Sequence, residues 1–301
     1  MQSGTDTYSY QVASKRYWVK KMNENKIGYF IISHGRPNEQ LTFDLLVSGG
    51  VSCDDIFIVC DDLDTTLPEY IQNYGDRVIV FDKQRYMDSC DSGVQKPSGI
   101  HAVYARNAAI HFAKIKGYQY FVVADDDIKS LHHRVNENEK LKAYPVKNIN
   151  DCLLSCVDFL NTNNHLSCIG FGTNNTFIGG TNAAIYKRGF DYMAVNIALY
   201  RAETPIQYAS ECQEDLIASI LNNSVGNLVV SIPFVMVDAI VKGRNKGGNE
   251  GHYAEENTYY RYFGTLIYAP ASIRIMSKHG ELIKNNKSNY YPMILSDRWK
   301  K

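Results

Sequence analysis

Short apolar runs alternate with segments of helical period through the first half of the chain. The apolar runs, which predict strands, are "IGYFIIS" (27–33), "DIFIVC" (55–60), "RVIVF" (77–81) and "YQYFVVA" (118–124). The segments that predict helices are "NEQLTFDLLVSG" (38–49), "YIQNYG" (70–75) and "GIHAVYARNAAIHFAKIKG" (99–117). Continuous apolar strands that alternate with helices favour a parallel sheet covered on both faces. This half therefore predicts an α/β fold with a mostly parallel central sheet flanked by helices.

The second half of the chain has a less regular pattern. In chain order we expect a loop (136–147), a helix near 149–161, a strand (165–171), Asn- and Gly-rich turns (172–182), a helix (210–223), a strand (228–237) and a Gly-rich loop (242–253). In the helix "SECQEDLIASILNN", Ser210 is the expected N-cap, with Gln213 at the capping-box position.

No internal repeat or low-complexity linker interrupts the chain. We therefore predict a single domain over 26–283, with an N-terminal arm (1–25) before it and a basic tail (284–301) after it. Within the domain, 26–135 is the expected ligand-binding half and 136–283 the irregular second half.

Charge and hydropathy narrow the functional classes. The 32 Lys and Arg residues equal the 32 Asp and Glu residues among 301, so no overall basic field indicates nucleic acid. No apolar run reaches 18 residues and the first 21 residues are polar, which predicts neither a membrane span nor a signal peptide. We expect a cytoplasmic protein, in the host cytoplasm if it is viral, and the sequence indicates no obligate protein partner.

The cysteines are scattered and form no CxxC pair, which favours structural thiols in a reducing compartment. They are Cys53, Cys60, Cys90, Cys152, Cys156, Cys168 and Cys212.

Polar and acidic groups follow each of the four predicted strands. In open α/β sheets, ligands bind beyond the carboxyl ends of the strands. The segments at those ends are "SHGRPN" (33–38), "CDDLD" (60–64), "FDK" (81–83) and "ADDD" (124–127). We expect them to line one rim of the sheet and to form a ligand site there.

Three adjacent carboxylates end the fourth predicted strand. Because side chains alternate along an extended chain, Asp125 and Asp127 should point one way and Asp126 the other. Two carboxylates on one side form a hard oxygen site for Mg²⁺ or Mn²⁺, with positions left for water and phosphate oxygens. A solvated acidic turn is the alternative, although uncompensated charges beside a buried strand are costly.

An Asp-x-Asp pair at the end of a central strand, after a Rossmann-like half, resembles the GT-A glycosyltransferases. The resemblance implies a divalent ion that bridges the diphosphate of a nucleotide-sugar. It also implies that the segments "ISHGRPN", "VCDDLD" and "ARNAAI" hold the donor. The donor-binding residues that follow from it are Ser33, Arg36, Asp61, Asp62, Arg106, Asp125 and Asp126. For Asp126 the sequence leaves open a contact with the sugar or ribose, or a bond to neighbouring backbone.

The helix that contains "SECQEDL" resembles the acceptor-side acidic motif of the same enzymes. The resemblance implies that Asp215 is the general base, with Glu214 as the alternative. Carboxylates in the first turn of a helix are also favoured by the helix dipole alone, so a purely structural role stays open for both.

Two features of the Gly-rich loop fit this resemblance. His252 is a candidate third metal ligand, beside Asp125 and Asp127, with an exposed histidine of no special role as the alternative. Lys242, Arg244 and Lys246 are candidates for closing over the diphosphate or for contacting nucleic acid, with a solvated basic loop as the alternative.

A narrower resemblance covers residues 27–135. The order "IISHGRPNEQLTFDLL", "DIFIVCDDLD", "YIQNYGDRVIVFDK", "YARNAAI" and "YFVVADDDI" is similar to the TET-associated glycosyltransferases of bacteriophages. It implies transfer of a sugar from a UDP-sugar, with Mn²⁺ or Mg²⁺, to the hydroxyl of a 5-hydroxymethylcytosine-type base in DNA. Basic-aromatic clusters suit such a partner. They are Lys15, Arg16, Lys20 and Lys21 around Trp18, and Lys284, Lys287, Arg298, Lys300 and Lys301 around Trp299.

Three other functions remain open at this stage. A GT-A enzyme could act on a glycan or a protein acceptor, because nothing in the first half distinguishes acceptors. A sugar-1-phosphate nucleotidyltransferase would carry a Gly-rich loop with Arg and Lys after the first strand, whereas "SHGRPNEQLTF" has one Gly and no Lys. A non-catalytic module with a structural ion is the fourth hypothesis.

Overall fold

A nine-stranded mixed sheet forms the centre of the computed structural model. The structure describes residues 26–90, 102–203, 206–211, 213–240, 264–270, 273–278 and 281–286. The predicted N-terminal arm (1–25), the Gly-rich loop (242–253) and the part of the basic tail after residue 286 lie outside these ranges.

The strands follow the order β3-β2-β1-β4-β8-β7-β9-β5-β6 across the sheet, and a separate hairpin pairs β10 with β11. Their bounds are β1 Ile27–Ile32, β2 Ile56–Asp61, β3 Val78–Phe81, β4 Tyr120–Asp125, β5 Ile128–Glu137, β6 Lys140–Pro145, β7 Leu166–Thr173, β8 Ile197–Arg201, β9 Leu228–Ala239, β10 Ile273–Lys278 and β11 Glu281–Asn286.

Helices lie on both sides of the large sheet. Their bounds are α1 Leu41–Ser48, α2 Leu67–Tyr74, α3 Lys83–Met87, α4 Ala102–Ile115, α5 Ile149–Thr162, α6 Ala184–Arg188 and α7 Glu214–Ser224. A further helical segment covers 264–268. None of the helices within the described ranges is long and apolar enough to cross a membrane.

The first four strands confirm the predicted α/β fold. β1 pairs in parallel with both β2 and β4, and β2 pairs in parallel with β3. β1 and β2 are buried along their whole length, as expected for strands covered on both faces. The carboxyl ends of these four strands therefore share one rim, which carries the acidic groups singled out above.

Beyond β4 the sheet is mixed rather than mostly parallel. β8 runs antiparallel to both β4 and β7, and β5 runs antiparallel to both β9 and β6, while β7 and β9 are parallel. The predicted loop at 136–147 is wrong, because β5 and β6 form a hairpin there. Asn138 and Glu139 make its tight turn with φ values of 51° and 66°. β6 is exposed along nearly its whole length, and only Leu141 is partly buried, so it has no continuous apolar run like those of the core strands.

The predicted helix at 210–223 begins later than expected. α7 starts at Glu214, and Gln213 precedes it in the left-handed region with φ 53°. Ser210 is therefore not the N-cap, and Gln213 makes no side-chain cap hydrogen bond. The consequence is that Glu214 and Asp215 occupy the first turn, where the exposed backbone N–H groups favour negative charge.

Each face of the sheet has its own apolar core. One core joins inward residues of β1, β4 and β7 to α1 and α5, including Leu46 and Leu153. The other joins the opposite face of the same strands to α4, including Val103 and Ala109. Because both cores pack on the same strands, they hold each strand in register, and this sets where its carboxyl end lies at the rim.

Close packing in β7 makes a glycine necessary at position 170. A Cβ added to Gly170 would lie 2.6 Å from Ala194 Cβ and 2.8 Å from Ser231 Oγ. We expect Gly170→Ala to lower the free energy of unfolding by about 1–3 kcal/mol, measured by urea denaturation. Adding Ala194→Gly, which removes the nearest atom, should restore part of the loss. A fully stable single variant would contradict this packing.

Candidate active site at the ends of β1, β2 and β4

The acidic triplet occupies the turn that joins β4 to β5. Asp126 points inward, with 1% of its surface exposed. Its Oδ2 accepts a hydrogen bond from Ser33 Oγ at 2.5 Å, and its Oδ1 lies 2.9 Å from Arg36 Nη2. Ser33 also bonds Tyr70 and Gln40, so the whole network is buried. Asp126 thus anchors the loop between β1 and α1.

Burial and charge act in opposite directions on Asp126. Burial raises the pKa of its carboxyl group to about 7, against the lowering effects of the Arg36 guanidinium and the Ser33 hydrogen bond. Both predicted donor-binding residues of the first loop, Ser33 and Arg36, therefore have a structural partner in Asp126. The inward position of Asp126 closes its own carboxylate off from a ligand.

Thr42, in the first turn of α1, holds the backbone of the triplet. Its Oγ1 donates to Asp125 O at 2.6 Å and accepts from Ile128 N at 3.0 Å. Its backbone N–H donates to Asp126 O at 3.1 Å. These three bonds fix a sharp turn that carries three carboxyl groups. Sequence reasoning missed Thr42, since a threonine in a helical pattern gives no local signal of a contact 83 residues away.

A buried arginine connects the triplet to α7. Arg106, on α4, lies 2.9 Å from Asp125 through Nη2. Its Nε lies 3.7 Å from Glu214 Oε1 and 3.5 Å from Asp215 Oδ1, and its guanidinium also sits over the ring of Tyr208. Nearby carboxylates raise the pKa of Arg106 well above its ordinary value even though burial opposes this. The structure therefore brings three of the predicted site residues together around Arg106.

The two candidate bases differ in access to solvent. The Asp215 side chain is 24% exposed and that of Glu214 is 10% exposed. Both contact the same guanidinium. Asp215 is the more accessible of the two to an acceptor.

Asn196 is a second residue that sequence reasoning missed. It precedes β8 with φ 61°, its carbonyl accepts from Asp125 N at 2.7 Å, and its Nδ2 donates to Asp125 Oδ2 at 3.2 Å. Asn is one of the few side chains that tolerate this backbone region. Its contacts, with those of Arg106, fix the direction of the Asp125 carboxylate.

At the end of β2, Asp61 is held in a charged pocket. His34 Nδ1 lies 2.7 Å from Asp61 Oδ2, and Lys83 Nζ lies 3.3 Å from Oδ1. Burial acts to raise the pKa of Asp61, but the hydrogen bond from His34 and the charge of Lys83 hold it below its ordinary value. Asp62 is exposed, and its Oδ1 accepts from Lys83 N. Asp61 and Asp62 thus lie on the same rim as the triplet.

The carboxylates suit a divalent cation in type and position. Asp125 and Asp127 are both partly exposed at the rim and offer the oxygen donors that Mg²⁺ and Mn²⁺ prefer. Among the residues placed by the structure, no group of three or more His, Cys, Asp or Glu side chains could hold a metal ion. The third predicted ligand, His252, lies outside those residues.

The predicted nucleic-acid contacts cannot be placed. Lys15, Arg16, Lys20, Lys21, Lys242, Arg244 and Lys246 all fall outside the described ranges.

Removing the Thr42 hydroxyl should loosen the triplet. Thr42→Val keeps the shape and leaves Asp125 O and Ile128 N without this bond in the interior, so we expect a loss of about 2–3 kcal/mol in the free energy of unfolding. Thr42→Ser should stay within about 1 kcal/mol of the parent. Thr162→Val, which removes an exposed hydroxyl bonded to Phe159 O, is the control. Equal stability of Thr42→Val and Thr162→Val in urea denaturation would contradict a stabilising role for the Thr42 hydrogen bonds.

Solved structures with a similar fold include two kinds of sugar-transferring enzyme. A mannosyltransferase from Pyrobaculum calidifontis, in complex with GDP-mannose and Mn²⁺, has a TM-score of 0.46 and 12% identity over 79% of this chain. Our chain spans 65% of the length of that protein. Glucosyl-3-phosphoglycerate synthase from Mycobacterium tuberculosis, in complex with Mg²⁺ and UDP, has a TM-score of 0.45 and 10% identity over 95% of this chain and 93% of its own. Similarity at this level identifies neither donor nor acceptor here.

The sequence comparisons are more specific. No curated protein matches the chain. A family model described as TET-Associated Glycosyltransferase matches residues 27–248, which is most of the chain. The match confirms the family predicted from residues 27–135, a range that includes Arg106 and the triplet, and extends it past the first turn of α7 and through β9. The chain therefore belongs to the TET-associated glycosyltransferase family.

Proposed function

We propose that this glycosyltransferase moves a sugar from a UDP-sugar to the hydroxyl group of a 5-hydroxymethylcytosine-type base in DNA, with Mn²⁺ or Mg²⁺ as cofactor. The observation that carries the proposal is the cluster around Arg106, in which Asp125 from the strand-end triplet and Asp215 from α7 contact one guanidinium. The proposed metal ligand and the proposed base therefore contact the same side chain, which supports a transfer between two substrates bound side by side.

On the donor side, Asp125 and Asp127 are the proposed metal ligands. A divalent ion held there supplies positive charge that stabilises the diphosphate as it leaves. Arg36 and Asp61 lie on the same rim, within the loops that follow β1 and β2. We assign them to the nucleotide part of the donor, with Arg36 also pairing Asp126.

On the acceptor side, Asp215 is the proposed base. The acceptor oxygen forms a bond to the anomeric carbon of the sugar, and the bond from that carbon to the diphosphate breaks with its electron pair leaving on UDP. The hydroxyl proton passes to the Asp215 carboxylate. Arg106 contacts that carboxylate and orients it, so we assign Arg106 a positioning role rather than a direct donor contact.

The choice of acceptor rests on the family. A TET-associated enzyme fits a hydroxymethylated pyrimidine, whose hydroxyl group is the kind of nucleophile that a glycosyltransferase uses. In duplex DNA such a base would leave the stack before its oxygen reached the sugar carbon. A glycan or protein acceptor would use the same donor half, and the experiment below distinguishes these acceptors from DNA.

A panel of nucleotide-sugars with hydroxymethylated DNA tests the whole proposal. We expect a Mn²⁺-dependent gain in DNA mass equal to one sugar per modified base, with release of UDP, and no product on unmodified DNA. Transfer to glycans or proteins but not to DNA would show that the proposed DNA acceptor is wrong. Failure of every nucleotide-sugar to bind in the presence of Mn²⁺ would remove the glycosyltransferase mechanism proposed for this site.

Substitution of the proposed metal ligands should lower both the activity and the affinity for Mn²⁺. Asp125→Asn and Asp127→Asn should each lower UDP release at least 100-fold and raise the Mn²⁺ concentration needed for half-maximal activity, because a neutral amide is a poorer ligand for a hard cation. Asp54→Asn, at an exposed carboxylate on the opposite rim, is the control. Thermal unfolding with and without Mn²⁺ separates the effect on binding from an effect on folding. An unchanged metal requirement in both variants would contradict the assignment.

Asp215 and Glu214 can be separated by paired substitutions. Asp215→Asn should lower transfer to DNA by about 10²–10⁴-fold, because the base is lost, and should change UDP-sugar affinity much less. It also removes one carboxylate from the Arg106 cluster, so thermal unfolding checks that the variant is folded. Glu214→Gln should have a much smaller effect on turnover. Transfer rates at saturating donor measure the first quantity and calorimetric titration with the UDP-sugar the second. The reverse order of the two losses would make Glu214 the base.

A further inference from the structure

The β5–β6 hairpin presents a basic and aromatic face beside the active site. β5 begins at Ile128, three residues after Asp125, so the hairpin grows directly out of the acidic triplet. Over 128–147 the sequence has five cationic and two acidic side chains, in a protein whose overall charge is balanced. The cationic residues are Lys129, Arg134, Lys140, Lys142 and Lys147.

The strand register sorts these side chains by face. His133 is opposite Tyr144, Val135 is opposite Lys142, and Glu137 is opposite Lys140. Side chains directly opposite each other in an antiparallel pair share a face. These six residues therefore form one surface, which we call the hairpin face.

The other side of the hairpin is already occupied. Arg134 stacks over the ring of Phe177 at 4.9 Å, and Leu141 packs in a small apolar cluster with Phe177 and Met236. The hairpin face, by contrast, is open to solvent. Tyr144 is 42% exposed and Val135 is 41% exposed, and Lys140 and Lys142 are exposed as well.

Ion pairs within the hairpin face leave most of its positive charge available to a ligand. Glu137 accepts contacts from Lys142 Nζ at 2.8 Å and from Tyr144 OH at 2.6 Å. All three groups are exposed, and exposed ion pairs of this kind exchange readily for other partners. The hairpin face thus has one acidic residue and two lysines. Lys129 and Lys147 are also exposed, at the end of the hairpin that is nearer the acidic triplet.

We propose that the hairpin face binds the DNA strand that flanks the modified base. This inference rests on the proposed function and specifies where the acceptor is held. Lysines supply phosphate contacts, and an exposed tyrosine beside an exposed histidine offers ring faces on which bases stack. β5 spans about 33 Å, the length of about nine or ten base pairs. A neutral glycan would offer no phosphate groups to the lysines.

The test is salt-dependent binding by the full chain. Fluorescence anisotropy with a 20-base-pair duplex containing 5-hydroxymethylcytosine gives Kd at several salt concentrations. The double variant Lys140→Gln/Lys142→Gln should bind more weakly and reduce the slope of log Kd against log salt by about 2, since each phosphate contact contributes about 0.9. Tyr144→Ala should weaken binding about ten-fold.

Matched controls keep the result specific. Lys114→Gln/Lys116→Gln removes two exposed lysines from the end of α4, at the opposite end of β4 from Asp125, and should leave the slope unchanged. Circular dichroism checks that each variant is folded, and transfer to free 5-hydroxymethyl-deoxycytidine checks that the site is intact.

The outcomes separate the two proposals. A parent protein that modifies DNA, together with hairpin variants whose slope and affinity are unchanged, would overturn the hairpin face and leave the proposed function standing. A parent protein that neither binds nor modifies DNA would overturn the proposed acceptor itself. Loss of DNA binding by the hairpin variants with unchanged transfer to the free nucleoside supports both.

Discussion

The arrangement of the rim depends on one buried cation. Arg106 is 4% exposed and lies within 4 Å of carboxylates from β4 and from α7. Charges taken out of water are tolerated only when they are paired, and removal of one partner from a buried set is strongly destabilising. Without the guanidinium, Asp125, Glu214 and Asp215 would repel each other at the place where the two halves of the chain meet.

This pairing explains why α4 has its position in the chain and in the fold. Its apolar side, with Val103 and Ala109, packs on the sheet, while Arg106 is also buried and reaches past the end of β4. The apolar core thus determines the position of the Arg106 guanidinium. The guanidinium in turn holds the carboxylates around it by ion pairing. Packing and catalysis share the same helix, so a core substitution in α4 would also displace charges at the rim.

A second set of contacts acts from the other side of the triplet. Ser33, Arg36 and Thr42 belong to one continuous segment of ten residues, and all three bond the triplet or its backbone. The triplet is therefore held between α4 on one side and the β1–α1 segment on the other. Asp126 and Asp125 differ for this reason: the first is a buried anchor of the loop, whereas the second is partly exposed at the rim.

Sequence patterns found β1 to β4 and missed β5, β6 and β8, although β8 is buried at four of its five positions. β1, β2 and β4 are continuous apolar runs, and their ends gave the acidic rim correctly. β6 was missed because it is exposed except at Leu141 and so lacks the continuous apolar run by which the core strands were found. The carboxylates of α7 were found from their motif, yet their common contact with Arg106 was not, because spacing along the chain does not encode contacts about 109 residues apart.

The exposed edge of the sheet at β6 has a consequence for the solution behaviour of the protein. An edge strand offers unpaired backbone N–H and C=O groups, on which a strand from another molecule can add. Lysine is one of the residues by which natural sheets prevent such addition, and Lys140 and Lys142 alternate along β6. The hairpin thus carries protection against self-association as well as charge, and a sequence change that neutralised it would increase the tendency of the protein to aggregate.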